Sequence, residues 1–141
     1  EESIVSYYER LDQNLELSIE VLDDFEDEAK EVYQHNPWLT YGLPLHRARE
    51  MGFHHKLMDL LDERPFTLDE IVEFLRLLID QSVLNWPDPH TNWEGFVGCL
   101  RKSLKQEMKQ YNPVRRRVMP WIDIGALKWK YGPGFKHSST V

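Results

Sequence analysis

Residues 3–34 contain neither glycine nor proline. Within them Ile4, Tyr8, Leu11, Leu15, Ser18, Leu22, Phe25, Ala29 and Val32 follow alternating steps of four and three, and Ser18 is the one small polar exception. Side chains at that spacing line one face of an α-helix, and a helix with an apolar face must bury it. The pattern predicts one long amphipathic helix, roughly 45 Å at 1.5 Å per residue. Val5, Ile19 and Tyr33 widen the stripe beyond a two-stranded coiled-coil seam, so a bundle suits it better. Asn36-Pro37 ends the helix, because the residue before a proline is pushed out of the helical region.

Three further helices follow from similar signals. Pro44 fits the first turn of a second helix running to about Arg64, where Pro65 stops it. Gly52 inside that helix costs about 1 kcal/mol against alanine. Thr67-Leu-Asp-Glu70 is a capping-box pattern opening a third helix to about Leu84. That helix is apolar on most sides, which places it centrally. Thr91-Asn-Trp-Glu94 reads as a second capping box, starting a fourth helix to about Tyr111. Its inward stripe is Trp93, Phe96, Val97, Leu100, Leu104, Met108 and Tyr111, and Gly95, Gly98 and Cys99 suggest a close backbone approach. Beyond Asn112-Pro113, repeated prolines and glycines leave room for one short helix, with Asp123 as N-cap and Gly132 after its end. The expected fold is all-α: a four-helix antiparallel bundle over 1–111 and an extended, irregular C-terminal arm over 112–141.

Charge divides at the same point. Residues 1–111 carry 11 Lys and Arg against 23 Asp and Glu, while residues 112–141 carry six against Asp123 alone. The body stands at −12 and the tail at +5, within a net −7. An acidic body argues against coating of nucleic acid at large, and a basic tail singles out the arm. With 141 residues, 41% hydrophobic and 29% charged, the chain has the composition of one globular domain. No apolar run approaches the roughly 20 residues of a membrane helix. The single cysteine, Cys99, excludes an internal disulfide framework and suits a reduced, intracellular, soluble setting, whether cytoplasm or organelle matrix. The chain starts at Glu1 without an initiator methionine, as a fragment or a processed chain does.

Few residues point to chemistry. His46, Glu50 and His54, spaced i, i+4, i+8, share one helical arc and include metal-ligating types. The arc also holds Phe53, Leu57 and Leu61, the motif is not repeated on a second helix, and the plainer reading is boundary polar groups bonding locally. No metal or other cofactor is expected. The acidic run Asp23 to Glu28 spreads around its helix and reads as a solvated face. Cys99 has no histidine near it in sequence and sits mid-helix, so it reads as a packing residue. The terminal Ser139-Thr140-Val141 resembles a short ligand for strand-addition domains, a signal of only three residues.

The arm interleaves cations and aromatics: Arg115, Arg116, Arg117, Trp121, Trp129, Tyr131 and Phe135. Arginine and tryptophan are common interface anchors, which makes these the expected partner-binding residues. The expectation is a non-enzymatic protein–protein interaction protein, an accessory or regulatory subunit of a larger assembly. The alternatives are a nucleic-acid-binding module using the arm and a metal-dependent enzyme on the His46 face.

Overall fold

The computed structural model of the chain describes residues 19–52 and 55–133. Its elements are α1 (Ile19–His35), α2 (Leu43–Glu50), α3 (Lys56–Leu60), α4 (Leu68–Leu78), a 3-10 turn (Gln81–Asn85), α5 (Trp93–Leu104), β1 (Gln110–Asn112), β2 (Arg117–Met119) and α6 (Ile124–Tyr131). The described chain is mostly helical, with one small two-stranded antiparallel sheet. No helix among the described residues is long and apolar enough to cross a membrane.

Helix α1 buries Phe25, Ala29 and Val32, the last three positions of the periodic stripe. Asp23, Asp24, Glu26 and Asp27 face solvent on the other side. The part of the expected long helix before Ile19 lies outside the described residues. At its end the Asn36 amide donates to the Val32 carbonyl at 2.7 Å, and the chain then turns. The Asn36 side chain is fully buried and becomes a polar hub. Its Nδ2 donates to the carbonyls of Leu61 (2.9 Å) and Arg64 (3.0 Å). Its Oδ1 accepts from Trp38 Nε1 (3.1 Å) and the Phe66 amide (2.9 Å). One side chain thereby satisfies backbone groups in the Leu61–Phe66 turn that regular structure leaves unpaired.

The single helix expected over 44–64 is instead two short ones. Gly52 has φ 92°, a left-handed conformation that glycine adopts without the Cβ penalty. Its amide bonds to the Arg49 carbonyl at 3.2 Å and closes α2. His55 then caps α3, its Nδ1 accepting from the Leu57 amide at 3.1 Å. Helix α4 opens on the expected capping box: Thr67 Oγ1 accepts from the Glu70 amide at 3.2 Å, and Glu70 Oε1 from the Thr67 amide at 2.9 Å. Ile71, Phe74, Leu75 and Leu78 are completely buried, as a central helix requires. Trp38 packs on this face, edge-on to Phe74 at 6.1 Å between ring centroids. The helix ends at Leu78, short of Leu84, because Asp80 starts a new turn by accepting from the Ser82 amide at 2.8 Å.

Helix α5 starts one residue later than expected, with Asn92 and not Thr91 as the N-cap, accepting from the Gly95 amide at 3.0 Å. A Cβ on Gly95 would lie 2.6 Å from Asn92 Nδ2 and 2.9 Å from Pro87 Cγ, so the close approach is real there, whereas Gly98 faces open space. The helix stops at Leu104 and does not reach Tyr111. Between Lys105 and Gln110 the sequence offers Met108 alone for burial, too little to hold another helical turn against the core.

The C-terminal segment departs most from expectation. As far as residue 133, the last one described, it is a hairpin, a buried extended stretch and a short helix, and not an irregular arm lying on a surface. Residues 110–119 form the β1–β2 hairpin, and Trp121, Ile122 and Leu127 enter the core with 1% exposure or less. The segment pairs with the loop after α1 through a Leu39–Ile122 bridge. The Thr40 amide donates to the Trp121 carbonyl (2.8 Å) and the Asp123 amide to the Trp38 carbonyl (2.7 Å). Thr40 Oγ1 adds a bond to the Pro120 carbonyl at 2.7 Å. Prolines and glycines do prevent a long helix here, but extended chain with apolar Trp121-Ile122 can be buried once its backbone groups find such partners. Asp123 caps α6 as expected, accepting from the Ala126 amide at 3.1 Å. The expected all-α, four-helix antiparallel bundle is therefore reduced, among the described residues, to a mostly helical fold with one small two-stranded sheet.

Candidate interaction surface

The hairpin is built by Asn112-Pro113. Asn112 is buried, and its Oδ1 accepts from the amides of Val114 (2.9 Å) and Arg115 (3.0 Å). This is the local turn chemistry that asparagine side chains favour. Proline at the next position pre-sets φ for the turn. Arg116 closes it at φ 59°, its amide donating to the Asn112 carbonyl at 2.7 Å. The register then pairs Gln110 with Met119, Tyr111 with Val118 and Asn112 with Arg117. Residues directly opposite lie on one face of the ribbon. Asn112 and Met119 are buried, while Tyr111 is 52% and Val118 60% exposed. Just before β1, Met108 is 75% exposed.

The sequence-expected site residues separate under this geometry. Arg116 and Arg117 are exposed at the end of the hairpin. Arg115 Nη1 donates to Asp123 Oδ2 at 3.2 Å, linking the turn to the cap of α6. Trp129 is 58% exposed on α6. Tyr131 is partly buried, and its hydroxyl donates to the Phe66 carbonyl. Burial, with the nearby Glu70 carboxylate, pushes the Tyr131 phenol up to about 12. Trp121, expected as an anchor for a partner, is 1% exposed and anchors the chain's own core. Phe135 lies outside the described residues. Met108, Tyr111 and Val118, exposed here, do not stand out in the sequence, because a helix drawn to Tyr111 turns the first two inward. The available signal was Asn112-Pro113-x-x-Arg116 as a hairpin turn flanked by Tyr111 and Val118.

The His46 face resolves into a buried ion cluster. Glu28, the one carboxylate of the acidic run that turns partly inward, meets His46 Nδ1 at 3.2 Å through Oε1 and Arg49 Nη1 at 2.5 Å through Oε2. The Tyr41 hydroxyl stands 3.4 Å from His46 Nδ1. Burial alone would raise the Glu28 carboxyl; the His46 bond and the Arg49 charge outweigh it and hold the group below its ordinary value. Burial, reinforced by the Glu28 charge, drives the Tyr41 phenol far upward and keeps it neutral. Glu50 is 3.8 Å from His46 Nε2, and His54 lies outside the described residues, beyond the Gly52 break. Among the described residues no three His, Cys, Asp or Glu side chains gather as a metal site. His46 is 1% and Tyr41 2% exposed, so the cluster joins α1 to α2 from within and offers neither ring to a substrate.

No family model, curated protein or solved structure matches this chain.

Proposed function

We propose that the chain is a non-enzymatic protein-interaction subunit that contacts its partner in a larger assembly through the β1–β2 hairpin. The observation that supports this is the pairing of Tyr111 and Val118 on the outer face of the ribbon, both more than half exposed. A cross-strand apolar pair gains something from its own mutual contact, and buried against a partner it would gain more. Here it faces water, with Arg116 exposed at the turn that ends the hairpin and Arg117 exposed on the ribbon's other face. An apolar pair flanked at the turn by an exposed arginine is the composition of a contact patch, and it suits a partner with an acidic group beside an apolar pocket. The wider arm reading narrows accordingly: Trp121 belongs to folding, Tyr111 and Val118 carry the contact, and Arg116 flanks it at the turn.

The test is recovery of partners from native lysate on immobilised wild-type protein and on a Tyr111→Ser, Val118→Thr double variant, with nuclease added. The expected result is a reproducible set of proteins lost with the variant, whose melting temperature stays within a few degrees of wild type. Recovery that disappears with nuclease would favour the nucleic-acid alternative. An unchanged protein set with the double variant would refute the hairpin as the contact.

A further inference from the structure

A second surface carries the opposite charge. The start of α4, the 3-10 turn and the Trp86–Pro89 loop enclose a groove of about 300 Å³. That volume is at the small end for ligand sites and suits a side chain better than a cofactor. Every charged residue lining it is a carboxylate: Asp69, Glu73 and Asp88. Between them the wall is apolar, with Val72 beside Trp86 and Phe96, whose rings meet edge to face at 5.8 Å. Two of the carboxylates have local partners. Glu73 pairs with Arg76, and Asp69 Oδ1 lies 2.7 Å from His90 Nε2. Asp88 lines the groove, and its Oδ1 accepts from the His90 backbone amide at 2.9 Å. The Asp88 carbonyl takes bonds from the Thr91 and Asn92 amides at 3.1 and 2.7 Å, so the loop is fixed before anything binds.

We infer that this groove receives a lysine or arginine side chain from an extended segment of a partner protein. The argument is complementarity along the length of one side chain. Lysine and arginine carry an aliphatic stem that packs on apolar surface and a charged head that seeks solvent or carboxylate. Val72 and Trp86 match the stem, with Trp86 able to add cation–π attraction. Asp88 and Asp69 at the rim match the head. An acidic or purely aliphatic segment lacks one half of that match. This surface is separate from the hairpin, so the chain carries one contact flanked by arginine and another rich in carboxylates.

The test uses a capped heptapeptide containing two lysines and two leucines, titrated into the whole isotopically labelled protein and followed by amide NMR, with a glutamate-for-lysine peptide as control. Weak, saturable binding is expected, with shift changes concentrated at residues 69–73 and 83–89. Asp69→Asn with Asp88→Asn keeps the shape and the turn bonds while removing charge, and should weaken binding by about fivefold. Raising the salt should weaken the wild type and barely affect the variant. Equal binding of the glutamate peptide, shift changes elsewhere, or no effect of the double variant would overturn the inference. Sedimentation of the protein alone supplies the remaining arm: self-association abolished by the same variant would make the occupant a second copy and overturn the partner segment.

Discussion

Asn36 is the position at which one substitution should cost the fold most for the fewest atoms. Its amide makes two donor bonds, to Leu61 and Arg64, and accepts two, from Trp38 and Phe66. Asn36→Ala strands the Trp38 indole N–H, the Phe66 amide and the Leu61 carbonyl, all buried, with the Arg64 carbonyl nearer the surface. Each buried group left unpaired costs about 1–3 kcal/mol. Allowing for relaxation and an entering water, the loss should be about 3–5 kcal/mol. That is a large share of the roughly 5–15 kcal/mol by which such domains are stable. Asn36→Asp sharpens the test. It keeps the shape but turns an acceptor toward two carbonyls and buries a charge. The folded state then favours the protonated acid, so the carboxyl rises above its unfolded value. Its penalty is full at neutral pH and shrinks as pH falls through that raised value. Urea melts of both variants against wild type, at pH 7 and near pH 4, measure this directly. A loss below about 1 kcal/mol for Asn36→Ala, or a penalty for Asn36→Asp independent of pH, would refute the hub.

Trp121→Ala should lower stability by about 3–5 kcal/mol in the same melts, as for a large side chain taken from a tight core, whereas Trp129→Ala, at a residue 58% exposed, should change it little; equal effects would contradict the placement of Trp121. Glu70 is held down to about 2 from an ordinary 4.5, first by the Arg64 hydrogen bonds and then by the Thr67 amide. A depressed carboxyl contributes stability that is complete above the unfolded value and lost as pH falls from about 4.5 toward 2, by a small amount because the pair is exposed and screened. Carbon NMR titration should place the Glu70 carboxyl near 2 in wild type and return it toward 4.5 in Arg64→Gln, and an ordinary value in wild type would count against the bidentate pair.

What could be read from the sequence was the chemistry confined to a few consecutive residues. Thr67 and Glu70 cap each other across one turn, Asp123 reaches Ala126, and Phe25, Ala29 and Val32 repeat at helical spacing. Each involves partners within one or two turns. Asn36 was legible only as a helix stop, because its side-chain partners at Leu61, Arg64 and Phe66 lie 25 to 30 residues away. Gly52 shows a different gap. A cost of about 1 kcal/mol does not decide between a tolerated helical glycine and a break; only the left-handed φ does. At Trp121 the proline and glycine spacing correctly excluded a helix but said nothing about which side of the chain the residue would face. The hairpin was hidden for a related reason: Met108 and Tyr111 also fit the helical stripe of α5, and local periodicity cannot weigh that against the turn that Asn112 builds.

The bridge that joins Leu39 to Ile122 sets an order of events as well as a contact. Thr40 and its hydroxyl's partner, Pro120, are 80 residues apart, so the bond between them cannot form until that much more chain has been made. During synthesis the N-terminal segments appear first. Until Trp121 emerges, the Thr40 amide has no carbonyl to meet and the apolar surface around Trp38 and Leu39 stays uncovered. The nascent protein therefore holds this part of its core incomplete until the Trp121-Ile122 segment, some 80 residues after Thr40, has emerged. Its window of exposure to chaperones and to misassociation is set by the arrival of that extended segment and not by the helices that precede it.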